Sequence, residues 1–337
     1  MIFQKSILAL LLASSAAMLG ALAAGPYALA VWRHWDLESG SARQVRLERR
    51  ASLVSTGMAL LLAVQSLTLL LFVFNADRMA SQFVGAMCAV GTLQVDSFGF
   101  PALLAQIAAF LGSSVWLTMN AVDGGCRDYP LTRAKSALLL ALIPVLALSF
   151  GLELAYFLGL KADVITSCCG GLFGDQAPGV SGDLAAWPPG PAMAAMFAAL
   201  SAAALVAARV AWRGRGGLAL GISGILAFAM SLAGVVAFLS LYVYEDPRHH
   251  CPFCLLKPDY GYRGYAFYVP LFAATAASLG AVALAPYVGR KLDPALAGRA
   301  RGASRVLASV ALAGFLLIIV LMAWQIASSG LTLLQHD

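Results

Sequence analysis

The sequence predicts an all-α, polytopic membrane helix bundle of about eight transmembrane helices. Three observations predict it. Of the 337 residues, 61% are hydrophobic and 11% charged, with a mean hydropathy of +0.83; a soluble domain carries about 25% charge. The apolar residues fall in runs of about twenty or more, the length that crosses a hydrocarbon layer as a helix. The runs also lack the alternation over about ten residues that a barrel strand needs, so a helix is what satisfies their backbone in lipid.

In chain order the runs are Ser6 to about Trp32, Ala51–Phe74, Pro101–Asn120, Ser136–Leu160, Gly190–Trp212, Leu218–Tyr242, Tyr265–Pro286 and Val306–Gly330. The first has the outline of a secretory signal, with Lys5 before it and Ala21-Leu22-Ala23-Ala24-Gly25 near its end. Cleavage there would export Arg33 to Arg50 and invert every later loop, so the run reads as a retained helix. Gly and Ala are frequent within the runs, where small residues let membrane helices approach closely. No linker long enough to separate domains is visible, which predicts a single transmembrane domain over 1–337.

Connections 33–50, 121–135, 209–217 and 287–305 hold sixteen of the 22 basic residues. Cytoplasmic loops collect Lys and Arg, so these connections read as cytoplasmic and both termini as outside. The outer loops are then 75–100, 161–189 and 243–264. They contain five of the six cysteines, Cys88, Cys168, Cys169, Cys251 and Cys254, and leave Cys126 inside. An outer compartment, as at a bacterial inner membrane facing the periplasm, is where disulfides persist.

The composition also excludes classes. The net charge of +6 is spread over short connections, and no phosphate-binding loop, dinucleotide fingerprint or basic-aromatic motif is present. Nucleic acid is not an expected partner; the lipid bilayer is. All four histidines lie outside the apolar runs and Leu255 follows Cys254, so neither a bis-histidine haem relay nor a haem-attachment motif is expected.

Cys251-Pro252-Phe253-Cys254 has the spacing to close a small disulfide or to grip one metal ion. If a helix starts here, its free N–H groups would stabilise the first thiolate, and Pro252 suits a first turn. His249 and His250 would support a thiolate if protonated, or act with Cys168, Cys169, Cys251 and Cys254 as ligands to copper or zinc. Adjacent Cys168 and Cys169 are poorly placed to bond each other, and Gly170-Gly171 permits a tight turn beside them. The five outer cysteines are odd in number. Tyr242, Tyr244, Tyr260, Tyr262, Tyr265 and Tyr268 cluster around the last outer loop, as interfacial anchors or as a stacking site for an aromatic cofactor. Glu153 lies well inside an apolar run, where a carboxylate marks a proton relay or a bond to a neighbouring helix.

The loop CxxC, with further outer cysteines on another loop of a helical bundle, resembles the membrane thiol oxidases of the vitamin K epoxide reductase and disulfide-bond-forming type. That resemblance implies a catalytic pair, Cys251 and Cys254, next to a membrane quinone. It implies shuttle thiols at Cys168, Cys169 or Cys88 facing a periplasmic thioredoxin-like partner. The chain departs from that pattern in having about eight helices rather than four or five. Ser167-Cys168-Cys169 is similar to the vicinal thiols of membrane mercury transporters. The residues leave three functions open: a membrane thiol-disulfide oxidoreductase, a soft-metal binding or transport protein, and an accessory subunit of a membrane complex with structural disulfides.

Overall fold

The computed structural model describes residues 3–36, 38–126, 129–161, 166, 173, 179–289, 294–331 and 333. Among them there is no strand, and eight helices are long and apolar enough to cross a membrane. In order these are α1 (Lys5–His34), α2 (Ala42–Met79), α3 (Gly99–Gly124), α4 (Thr132–Gly159), α5 (Pro189–Arg213), α6 (Gly217–Tyr244), α7 (Arg263–Val288) and α8 (Pro294–Ser328).

Two helices overrun their apolar stretches. α2 takes in Arg43, Arg46, Arg49 and Arg50, and α8 takes in Arg299, Arg301 and Arg305. These residues were expected in loops. Arg is a good helix former, and its long stem lies along a helix while the guanidinium stays in water. Charge therefore ends the apolar run without ending the helix. Pro26 in α1 and Pro144 in α4 sit inside their helices, as membrane helices tolerate. In α6, residues Val235–Leu239 form a π-turn, closed by the Ser240 N–H on the Val235 carbonyl.

The chain forms two compact units. The first comprises Met1–Asn75, Leu93–Lys161 and Pro286–Ala303. Its core sets Ala21, Ala24 and Ala28 of α1 against Leu62 of α2, Trp116 of α3 and Leu142 of α4. The α3–α4 connection is clamped by Asp123, which is fully buried. One of its oxygens accepts the Leu131 N–H at 2.7 Å; the other takes the Thr132 hydroxyl at 3.0 Å and the Lys135 ammonium at 2.6 Å. Lys135 also donates to Asn120 at 2.9 Å.

The second unit comprises Ala76–Thr92, Ala162–Ala285 and Ser304–Asp337. Met196 of α5, Phe238 of α6, Leu271 of α7 and Phe315 of α8 meet in its core. Gly217, Gly221 and Gly224 fall on one face of α6, against Ala281, Val282 and Ser278 of α7. A Cβ at Gly224 would stand 2.7 Å from the Ser278 Cβ, and neither backbone can give way cheaply. Gly224→Val is expected to destabilise the protein by about 1–3 kcal/mol, the usual cost of overpacking. Gly151→Ala on α4, where a Cβ meets nothing within 4 Å, should be neutral or stabilising, since Ala costs a helix less than Gly. Unfolding midpoints of the two variants in one detergent check this; equal midpoints would remove the packing argument.

Candidate functional site

The second unit gathers three cysteines. Cys88 and Cys251 are fully buried and Cys254 is 4% exposed. One sulfur from each lies within 4.8 Å of the other two, and the Cys88 and Cys251 sulfurs are 3.5 Å apart. Among the described residues this is the group of Cys, His, Asp and Glu side chains close enough to share one metal ion.

Local chemistry brings Cys88 here. Beyond α2 the chain makes one 3-10 turn, Ala80–Gln82, then reverses through Gly85 to the one-turn helix Ala89–Leu93. Gly85 has φ +87, and a Cβ on it would strike the Thr166 carbonyl. The absence of a side chain lets Thr166 donate its N–H to the Val84 carbonyl at 3.0 Å. Asp77, in the last turn of α2, accepts the Ala89 N–H and has Lys257 and Cys88 within electrostatic reach. That bond ties the residue after Cys88 to the end of α2.

The CxxC segment is held by tyrosines. The Tyr244 hydroxyl, at the end of α6, donates to the Cys251 carbonyl at 2.5 Å, and the Tyr268 hydroxyl of α7 donates to the Pro252 carbonyl at 2.8 Å. The predicted helix start is not formed. Cys254–Leu256 is a three-residue 3-10 turn, Lys257 is extended, and Pro258 opens a second such turn. A helix dipole therefore contributes little at Cys251. The backbone carbonyls of the segment are instead fixed by phenols, and the sulfurs turn inward.

The two histidines behave differently. His250 is buried and its Nδ1 is 2.9 Å from the Val236 carbonyl. A carbonyl accepts, so Nδ1 carries the hydrogen and Nε2 has the lone pair when the ring is neutral. His249 lies against the Tyr244 ring, centroids 4.2 Å apart, and Tyr244 in turn stacks near Tyr260 at 4.4 Å. Its Nε2 is buried without a hydrogen-bond partner among the described residues. Burial pushes the His249 imidazole pKa down; Asp246 and the Cys88 thiol pull it up, and His250 adds a downward push.

Of the residues singled out in sequence, Cys88, Cys251 and Cys254 come together, with His249 and His250 alongside. Cys168 and Cys169 lie outside the described residues. Thr166, two positions before Cys168, is bonded to the Cys88 loop as described. Cys126 belongs to the first unit, its thiol 3.5 Å from the Val122 carbonyl. Glu153 is also in the first unit, fully buried. Asp77 and Lys257 were not anticipated as neighbours of the thiols. A carboxylate at the end of an apolar run reads as an interface residue, and nothing local in the sequence distinguishes the two roles.

Comparisons with protein-family models, with curated proteins and with solved structures find no match.

Proposed function

We propose that Cys88, Cys251 and Cys254 bind one soft metal ion, Cu(I) or Zn(II), as thiolates. The protein would bind or transport that ion on the extracytoplasmic side of a bacterial inner membrane. The observation that carries this reading is the sulfur triangle. Thiolates about 2.3 Å from a shared ion stand about 3.8–4.0 Å apart. The three sulfurs are compatible with that spacing, with one separation of 3.5 Å and all within 4.8 Å. The donors are all soft, as Cu(I) and Zn(II) prefer. Three thiolates suffice for a trigonal Cu(I) site, and a fourth ligand would make the tetrahedral set that structural zinc takes. The phenol hydrogen bonds to the Cys251 and Pro252 carbonyls support the loop behind the ligands, the kind of outer support that fixes ligand direction.

Protein reconstituted with Cu(I) in the presence of a competing chelator is expected to retain one copper per chain by elemental analysis. Protein that yields all its copper to the chelator would end this reading.

The contact between Cys88 and Cys251 favours a second reading, a thiol-disulfide oxidoreductase linking a periplasmic thiol partner to membrane quinone. If Cys251 and Cys254 were joined, a Cys88 thiolate 3.5 Å away could attack Cys251, form the Cys88–Cys251 bond and release the Cys254 thiolate. Burial of all three sulfurs shields them from direct attack by a soluble partner, so exchange would pass through Cys168 or Cys169. Mass-tagged maleimide added before and after a quinone analogue separates the readings. Tag numbers that change support the redox reading; constant tag numbers with bound copper support the metal reading.

A further inference from the structure

We propose that Glu153 is an exchangeable proton-binding site within the helices of the first unit, independent of the thiol cluster. Glu153 lies in α4 and has no exposed surface. Two donors converge on one of its oxygens: the Ser14 hydroxyl of α1 at 2.9 Å and the Gln106 amide of α3 at 2.5 Å, both on Oε2. Behind Gln106, the Gln65 amide of α2 donates to its Oε1 at 3.3 Å, and the Thr68 hydroxyl, 3.0 Å from the same oxygen, also has the Gln65 carbonyl at 2.6 Å for its one hydrogen. With the Gln65 amide donating to that oxygen, the Gln106 NH2 group faces Glu153.

The other carboxyl oxygen, Oε1, is buried and has no hydrogen-bond partner among the described residues. The Ser149 and Tyr156 hydroxyls are in the same state. Positions 149, 153 and 156 fall on one face of α4, so three unpartnered polar atoms line up along it.

This asymmetry separates a proton site from a structural carboxylate. A structural glutamate in hydrocarbon would have both oxygens satisfied, and a glutamine would bridge the helices without an ionisable group. The network saturates one oxygen and leaves the other to carry a hydrogen. No charged group belongs to it: α1 contributes Ser14, α2 Gln65 and Thr68, and α3 Gln106. Tyr156 shares the Glu153 face one turn on, and Asp96, beside Gly159 at the end of α4, is within electrostatic reach of Tyr156. An unpaired carboxylate at this depth is costly, and such groups neutralise instead. A metal cation is a poor occupant, because Ser14 and Gln106 point hydrogens at the carboxyl. A proton reaching Oε1 converts the Glu153 carboxylate to the acid and leaves by reversal, and no electrons move.

A hydrophobic carbodiimide couples to the protonated acid, so it reads the site directly. Full-length protein in detergent, treated at neutral pH and mapped by peptide mass, should carry the adduct on Glu153 and not on exposed Glu38 or Asp259. The adduct should vanish at alkaline pH and in Glu153→Gln. Lack of a Glu153 adduct at every pH, an adduct indifferent to pH, or suppression by sodium at fixed pH would each overturn the proposal. Should Glu153→Gln fail to fold, the infrared carbonyl band of a buried carboxylic acid in unmodified protein decides. The band must be present at neutral pH and lost on alkaline titration.

Discussion

Cys88→Ser is expected to weaken Cu(I) binding by more than about 100-fold. Loss of a supporting contact outside the ligand shell already costs 10–100-fold in metal affinity, and Cys88 is proposed as a ligand itself. Cys251 and Cys254 alone offer two sulfurs from one short turn. The third comes from 163 residues away in the chain, placed by the Asp77 bond to Ala89 and the reversal at Gly85. Serine keeps the size of the side chain but replaces a soft thiolate by a hydroxyl that stays protonated. Cys126→Ser, in the first unit, should bind as the unmodified protein does. Chelator competition on both variants, with their unfolding midpoints alongside, gives the answer. A folded Cys88→Ser protein of unchanged affinity would exclude the three-sulfur site.

Asp123→Ala should destabilise the first unit by about 3–5 kcal/mol, the cost of breaking a buried ion pair from one side. Lys135 has a 5% exposed side chain and would be left charged with Asn120 as its remaining named acceptor. The Leu131 N–H and the Thr132 hydroxyl would lose their acceptor in the same step. The double variant Asp123→Asn, Lys135→Met removes both charges and should recover much of that loss, because a buried pair exchanged for neutral groups is often close to neutral overall. Denaturant titration of the three proteins tests the ordering. A single variant as stable as the double would show that the pair is not desolvated.

The eight helices were legible because about twenty apolar residues in a row leave the backbone no other solution in lipid. Their ends were less so. Arg43 to Arg50 and Arg299 to Arg305 interrupt the hydropathy but favour helix, so α2 and α8 run on through them. The CxxC pair was visible from spacing, whereas the choice of Cys88 as its companion depends on Gly85, Thr166 and Asp77 acting together. The helix expected at Cys251 fails because Pro252 and Pro258 bracket too few residues to propagate one. Glu153 stood out as a charge in an apolar run. Gln65 and Gln106, its network, did not, because a single neutral amide scarcely dents the hydropathy of a membrane segment. Asp123 and Lys135 read as ordinary residues of a short connection, and only packing turns them into a desolvated pair.

The π-turn in α6 has a mechanical corollary. It inserts one residue more than a regular winding would hold, and the carbonyl at Val236 receives the His250 ring. Rewinding that stretch to α-geometry would rotate everything beyond it by about 100°. Tyr244 would swing with it, and its hydroxyl would leave the Cys251 carbonyl. The extra residue of the π-turn thus sets the direction in which Tyr244 leaves α6, and with it the grip on the Cys251 carbonyl.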